Sequence, residues 1–297
     1  MKKTFKTIHL LVITILLTTL SCSKDDDSGV PPVNQISVEN LAVAVDENPT
    51  NGDVVGTVQA TQTIGGAILS YSITSQTPSG ALEIDATTGE LTVLDNGLFD
   101  FEINPTITAT VSSSEAVNTA TVTVNLINLN EIGDFNHGGI VFWVDPTDNT
   151  KGLVCAVTDQ SSSIRWHDTQ QPSITGTTST SLQTGSTNTD LIIASLGSNF
   201  AAGLARAYNG GGFTDWFLPS VDELKEMANN RVAIDATAAN NSGTDLVAEP
   251  WSMSNGYWSS SQQSNGGSVY LVNLLTVGEN GAFAINFASV RAVRAFE

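Results

Sequence analysis

The sequence predicts a multidomain chain of 297 residues: an all-β sandwich over residues 36–131, followed by an α+β domain over residues 134–297. Three observations predict it. Up to residue 130, apolar and polar residues alternate with period two in short runs separated by turn pairs. Beyond residue 134, apolar residues at helical spacing and one helix-capping motif stand among strand-like runs. The charge also changes at the junction near Glu131-Ile132-Gly133: residues 25–133 hold 15 acids and no base, residues 134–297 hold 15 acids and seven bases. An apolar fraction of 40% supports a core in each part, and 14% charged residues is too few for a disordered polyelectrolyte. The net charge of −19 excludes nucleic acid and anionic lipid surfaces as partners, since both need a basic footprint. Two cysteines make no disulfide framework.

Residues 1–21 read as a signal peptide. Lys2, Lys3 and Lys6 are basic, and the apolar run from Ile8 to Leu20 is too short to span a bilayer. It ends in Thr19-Leu20-Ser21-Cys22, which resembles a lipobox, with Thr19 in place of the usual leucine. The resemblance implies a lipoprotein, acylated at Cys22 and held to the membrane through that anchor alone. Ser23-Lys24-Asp25-Asp26-Asp27 resembles the acidic export signal of lipoproteins displayed on the outer face of the outer membrane. The expected place is therefore the outer membrane, facing the exterior. Residues 22–35, with Pro31-Pro32, form the tether.

In residues 36–131 the clearest strand is Ala120, Val122, Val124 and Leu126, alternating with Thr121, Thr123 and Asn125. Leu41, Val43 and Val45 alternate likewise. Asn51-Gly52, Gly65-Gly66, Thr88-Gly89 and Asn96-Gly97 supply turns, and the spacing suggests an antiparallel sandwich. Val45-Asp46-Glu47-Asn48-Pro49, Ile84-Asp85 with Thr88-Gly89, Asp100-Phe101-Glu102 and Asn128-Leu129-Asn130-Glu131 together resemble a cadherin repeat. That resemblance implies calcium held by Glu47, Asp100, Glu102, Asn128, Asn130 and Glu131 at the far end of the sandwich. Calcium takes six to eight hard oxygens, and a part without bases gains from a cation that offsets self-repulsion. Thr61-Gln62-Thr63 stands where the family has Asp-x-Asp, and Ser112-Ser113-Ser114 replaces another acidic spot, so one ion is expected rather than a cluster. Asp134 is a substitute for the ligands that a following repeat would supply.

In residues 134–297, Gly139–Val144 and Leu153–Thr158 read as strands. Ile192, Ile193, Leu196, Phe200, Leu204 and Tyr208 fit one helical face. Ser220 and Glu223 form a capping box after Pro219, with Leu224, Met227 and Ala228 as the buried side of a second helix. Residues 268–275, 282–287 and 290–296 read as further strands. Gly138-Gly139-Ile140-Val141-Phe142-Trp143, Gly212-Phe213-Thr214-Asp215-Trp216-Phe217-Leu218-Pro219-Ser220, Tyr257-Trp258-Ser259-Ser260-Ser261 and Val290-Arg291-Ala292-Val293-Arg294-Ala295-Phe296 occur in that order. The set resembles the Lcl carboxy-terminal domain family, which implies a C-type-lectin-like fold and glycan binding.

Sugar sites want exposed aromatics beside amides and acids. Trp166, His167, Asp168, Tyr257, Gln262 and Asn265 are the candidate ligand-binding residues, mostly in Gly- and Ser-rich connections. Arg291 and Arg294 alternate in facing and read as core or paired residues. Catalysis is not expected. Cys155 lies in an apolar strand, His137 and His167 are too few for a His-based metal site, and no nucleophile elbow surrounds Ser259-Ser260-Ser261. On a strand, His167 and Asp168 would point to opposite faces. The sequence thus suggests an adhesin or binding protein for an extracellular glycan or surface protein. Three alternatives stay open: a glycan-capture component of a polysaccharide-uptake system, a structural envelope protein without a soluble ligand, and an enzyme using His167 and Asp168.

Overall fold

A computed structural model describes residues 33–250, 252–264 and 267–297. The signal peptide, Cys22, most of the tether, Trp251 and Asn265 lie outside the described residues. No helix among the described residues is long and apolar enough to cross a membrane.

The chain is mostly β-structure with a few helices. Its first part has nine strands: β1 (Ile36–Val38), β2 (Leu41–Asp46), β3 (Val54–Thr57), β4 (Ala60–Gln62), β5 (Tyr71–Thr77), β6 (Leu82–Ile84), β7 (Glu90–Val93), β8 (Thr106–Ser113) and β9 (Ala120–Ile127). One sheet has the order β2-β9-β8-β5, a second β3-β7-β6, and β1 pairs with β4. The period-two alternation explains the sandwich. Val122, Val124 and Leu126 of β9 and Ile107, Ala109 and Val111 of β8 are buried with Tyr71, Leu91 and Phe99 in one core. Each such aliphatic side chain contributes about 1.5–3 kcal/mol on burial. Gly89 is required at its turn: its φ is +75°, and a Cβ there would meet the Val58 carbonyl at 2.6 Å.

The expectation of a wholly antiparallel sandwich is corrected. β2 runs parallel to β9, in register from Leu41 opposite Val122 to Asp46 opposite Ile127. Alternation specifies which face of a strand is buried, not the direction of its partner. This pairing has a consequence for the site, because it places the end of β2 beside the exit of β9.

The second part holds β10 (Phe135–Asn136), β11 (Gly139–Asp145), β12 (Asp148–Cys155), β13 (Ser161–Arg165), α1 (Gly185–Leu196), α2 (Ala201–Ala207), α3 (Val221–Asn229), α4 (Arg231–Asn240), β14 (Tyr257–Gln262), β15 (Val269–Asn273), β16 (Gly278–Ala282), β17 (Phe287–Val290) and β18 (Val293–Phe296). Its sheets have the orders β10-β11-β12-β18 and β13-β17-β14-β15-β16. One core gathers Trp166, Trp216 and Trp258 against α1 and α2; the other gathers Phe142, Phe217, Met227, Ile234 and Tyr257 against α3 and α4.

Three element boundaries differ from expectation. The helical face of Ile192 to Tyr208 is two helices, because Gly197 turns the chain with φ +81° and ends α1. Residues 283–286 are a turn between β16 and β17. Arg291 and Ala292 interrupt the last strand, and the Ala292 N–H is taken by the Gln160 side chain. Helix α4, whose N-cap Asn230 makes no side-chain capping bond, packs through Ile234 and Ala238.

The capping box forms as read. Ser220 Oγ accepts from the Glu223 N–H at 3.3 Å, and Glu223 Oε2 accepts from the Ser220 N–H at 2.7 Å. Glu223 Oε1 also accepts from the Gly185 N–H at 3.2 Å, so one carboxylate ties the starts of α1 and α3. Burial pushes the Glu223 carboxyl up to about 7, against the pull of the backbone N–H groups of Ser220 and Gly185. A raised folded-state value favours the protonated fold. Its contribution is full below the ordinary 4.5 and is lost as pH rises through about 7. All five tryptophans lie beyond residue 134, so their fluorescence reports this part alone. The expected result is a lower unfolding midpoint at about pH 8 than at about pH 5, with Glu223→Gln flattening the difference.

Candidate functional site

The site at the junction grows from the parallel pairing of β2 and β9. The Glu47 N–H donates to the Ile127 carbonyl at 3.2 Å, which sets Glu47 where the chain leaves the sandwich. The Glu47 carboxylate is 2% exposed. Oε1 accepts from the Leu129 N–H at 2.7 Å and Oε2 from the Phe101 N–H at 2.8 Å, so one buried acid binds the loop before β8 and the linker together. Asp100 and Glu102 come from that loop. Each of the three offers a carboxylate oxygen within 4.8 Å of the others.

Two more acids stand at the rim. Glu131 accepts from the Asn48 side chain, and Asp134 accepts from the Glu131 N–H at 2.8 Å. Burial and then the charges of Glu47, Asp134 and Asp100 raise the Glu102 carboxyl. Burial and then Glu47, Asp134 and Glu102 raise Glu131, and burial and Glu47 raise Asp134. None of the five acids forms an ion pair among the described residues. The cluster can hold a metal ion. Its donors are oxygen only, and each Glu47 oxygen keeps a lone pair beside its backbone bond, which fits a hard cation.

Two expected ligands have partners of their own among the described residues. Asn130 turns its side chain away: Oδ1 meets His137 Nε2 at 2.7 Å, and Nδ2 donates to the Asn149 carbonyl at 2.8 Å. Asn128 presents its amide nitrogen, which donates to Glu102 Oε1 at 3.1 Å. Both are Asn residues in a linker with carbonyls and carboxylates close by, and the amide donors take those partners.

The linker is fastened to the second part. Asn130 and Asn149 exchange three hydrogen bonds of 2.7–2.9 Å. The Gly133 N–H donates to the Val141 carbonyl at 2.8 Å, and Thr237 Oγ1 donates to the Gly133 carbonyl at 2.6 Å. His137 stacks on Phe296 with centroids 4.0 Å apart. Arg294 donates to the His137 carbonyl at 3.1 Å, pairs with Asp215 at 2.5 Å and lies over the Phe213 ring.

The candidate sugar-binding residues are largely interior, and their surface reading is corrected. Trp166 is 1% exposed, and its Nε1 donates to the Ser259 carbonyl at 2.8 Å. Tyr257 is buried, with its hydroxyl between Asp159 Oδ2 and the Val247 N–H, both at 2.9 Å. Gln262 is buried and bonds Ile174, Thr177 and Pro172. Their polar tips have protein partners because an interior polar group without one is costly. Asp168 is exposed, and Asn265 lies outside the described residues.

His167 and Asp168 lie on a bend rather than a strand, and His167 Nδ1 is 3.2 Å from Asp168 Oδ1. The Thr169 N–H lies 3.0 Å from the same Nδ1, so Asp168 and Thr169 share one ring nitrogen. Cys155 is buried, and its thiol is pushed up to about 12 by burial, an unreactive state.

No family model matches the chain, and no curated protein matches it. Solved structures similar to it include cadherin domains. Mouse cadherin-23 EC22-24 is 22% identical, over 33% of this chain and 34% of that one, with a TM-score of 0.29. The third cadherin domain of human protocadherin 7 is 21% identical over 35% of this chain and 95% of that one, with a TM-score of 0.29. Protocadherin gammaB7 EC3-6 is 18% identical over 33% of this chain, which spans 26% of that structure's length, with a TM-score of 0.29.

Proposed function

We propose that the chain is a surface-displayed bacterial lipoprotein that works by binding rather than catalysis. Acyl chains on Cys22 hold it at the outer membrane, the sandwich is a spacer, and the α+β part is a lectin-like tip for an extracellular glycan. One calcium ion, held by Glu47, Asp100 and Glu102 with Glu131 and Asp134 near, stiffens the joint between spacer and tip. The observation that carries this reading is the junction itself. A buried carboxylate ties the loop before β8 to the linker at one end of the sandwich, five acids converge there without an ion pair among the described residues, and the linker is fastened to the tip by the Asn130–Asn149 bonds. When bound, the cation neutralises carboxylates that otherwise repel one another, and so locks loop to linker.

A second reading, adhesion to a surface protein, is favoured by the exposed Phe135, Ile132 and Val232. The test is binding of the purified protein to a broad polysaccharide array, with calcium and with chelator. Selective retention of one glycan class, weakened by chelator, is expected. Uniform absence of binding in both conditions excludes the lectin reading and leaves protein adhesion or an envelope scaffold.

A further inference from the structure

The second part carries seven Lys and Arg residues, and six of them lie within 4.0 Å of a carboxylate. Arg165 is the exception. Among the described residues it has neither an ion-pair partner nor a hydrogen-bond acceptor for its guanidinium, and it is exposed at the end of β13. An unpaired cation in a chain of −19 is the anomaly, because fifteen acids in the same part compete to pair with it. Its surroundings are equally unusual. Arg165 sits opposite Phe287 of β17, with its guanidinium carbon 5.0 Å from the ring centroid. Phe287 is 48% exposed, Phe283 at the start of the same turn is 42% exposed, and Met253 is 50% exposed. Asn286 joins that turn to Met253, its Nδ2 lying 3.0 Å from the thioether sulfur.

We propose that Arg165, Phe287, Phe283 and Met253 form a subsite for a carboxylated pyranose, such as a hexuronate unit of a glycan. The sugar carboxylate takes the free N–H fork of Arg165, and the apolar C–H face of the ring lies on the exposed aromatic surface. The guanidinium fork matches a carboxylate in two parallel bonds, and the Phe287 ring beneath it offers a cation–π contact. Exposed Ser162 and Ser163 and the half-exposed Asn286 provide hydroxyl and amide groups for the sugar hydroxyls. The charge of the chain selects the ligand's charge density. A single cation serves one isolated carboxylate, whereas a densely sulfated polymer or an acidic protein surface meets repulsion from the remaining acids. The assignment rests on the glycan-binding reading and deepens it by naming the sugar class and its contacts.

The test compares a neutral oligosaccharide ending in a single glucuronate, its carboxyl-reduced neutral counterpart and a poly-glutamate peptide as ligands of the full chain, in chelator so that calcium cannot bridge. The glucuronate-tipped oligosaccharide is expected to bind, and Arg165→Gln to weaken it about tenfold or more. Arg165→Lys should recover part of the loss, because a point charge replaces the fork, and Phe287→Ala should weaken binding as well. Arg165 is exposed, and unchanged tryptophan fluorescence confirms that its variants are folded. Equal binding by Arg165→Gln overturns the subsite, as does poly-glutamate bound with the same Arg165 dependence. Neutral glycan bound equally by every variant removes this subsite and leaves the glycan-binding reading standing. Neither glycan bound removes the subsite, and the broad array with and without calcium decides the glycan-binding reading separately.

Discussion

Replacing Arg291 with alanine is expected to destabilise the second part by about 3–5 kcal/mol, the largest effect of any single side chain named here. Arg291 has no exposed surface. Its Nε pairs with Asp159 at 2.6 Å, Nη1 donates to the Ala156 carbonyl at 2.8 Å, and Nη2 donates to the Thr244 carbonyl at 3.0 Å. Asp159 in turn accepts from the Tyr257 hydroxyl. One guanidinium thus ties together β12, the start of β18, β14 and the segment after α4. Truncation leaves Asp159, whose carboxyl burial raises, without the cation that offsets it, and leaves the buried Ala156 carbonyl without this donor. Arg291→Lys should recover little, since an ammonium cannot reach in three directions from one plane. Exchanging both partners, Arg291→Met with Asp159→Leu, should recover most of the loss, because no unpaired charge remains. Denaturant unfolding followed by tryptophan fluorescence measures all three. An Arg291→Ala midpoint equal to wild type would show that this network does not stabilise the second part.

Glu47→Gln is expected to change sign with calcium. With calcium at roughly thirty times its Kd, wild type gains about 2 kcal/mol, and the variant lacks that gain. In chelator the balance differs. The substitution removes the charge that helps to raise Glu102, Glu131 and Asp134, and it costs about one hydrogen bond to the Phe101 or Leu129 N–H. The two effects oppose, so the variant should match or exceed wild type without calcium and fall below it with calcium. The unfolding transition of the sandwich, seen in far-ultraviolet circular dichroism, measures both arms. A variant destabilised equally in both conditions would make Glu47 a hydrogen-bond anchor only.

The residues that were legible are those whose pattern has one physical solution. Val122, Val124 and Leu126 alternate and are buried on one face. Ser220 and Glu223 at capping spacing start α3. Glu47, Asp100 and Glu102 come together although Glu47 is separated by half the sandwich from the others. Partner direction was not legible: nothing in the alternation of Leu41, Val43 and Val45 says that β2 runs parallel to β9. Nor were the interior roles of Trp166, Tyr257 and Gln262, since an aromatic or amide in a polar stretch is equally suited to a surface and to a satisfied interior. Their partners, the Ser259 carbonyl, Asp159 and the Thr177 hydroxyl, are about 85 to 100 residues distant in the chain. Arg165 stood among seven basic residues of one kind in the sequence, and only the ion pairs of the other six set it apart.

Calcium titration of the folded protein, read as the unfolding temperature of the sandwich, shows whether a cation holds the joint. One site with a Kd of about 10⁻⁴–10⁻³ M is expected, saturating with a raised unfolding temperature that Glu47→Gln and Asp100→Asn each abolish. An unfolding temperature unmoved by calcium up to about 10 mM would contradict a cation at the joint and leave the converging acids as a solvated end of the spacer.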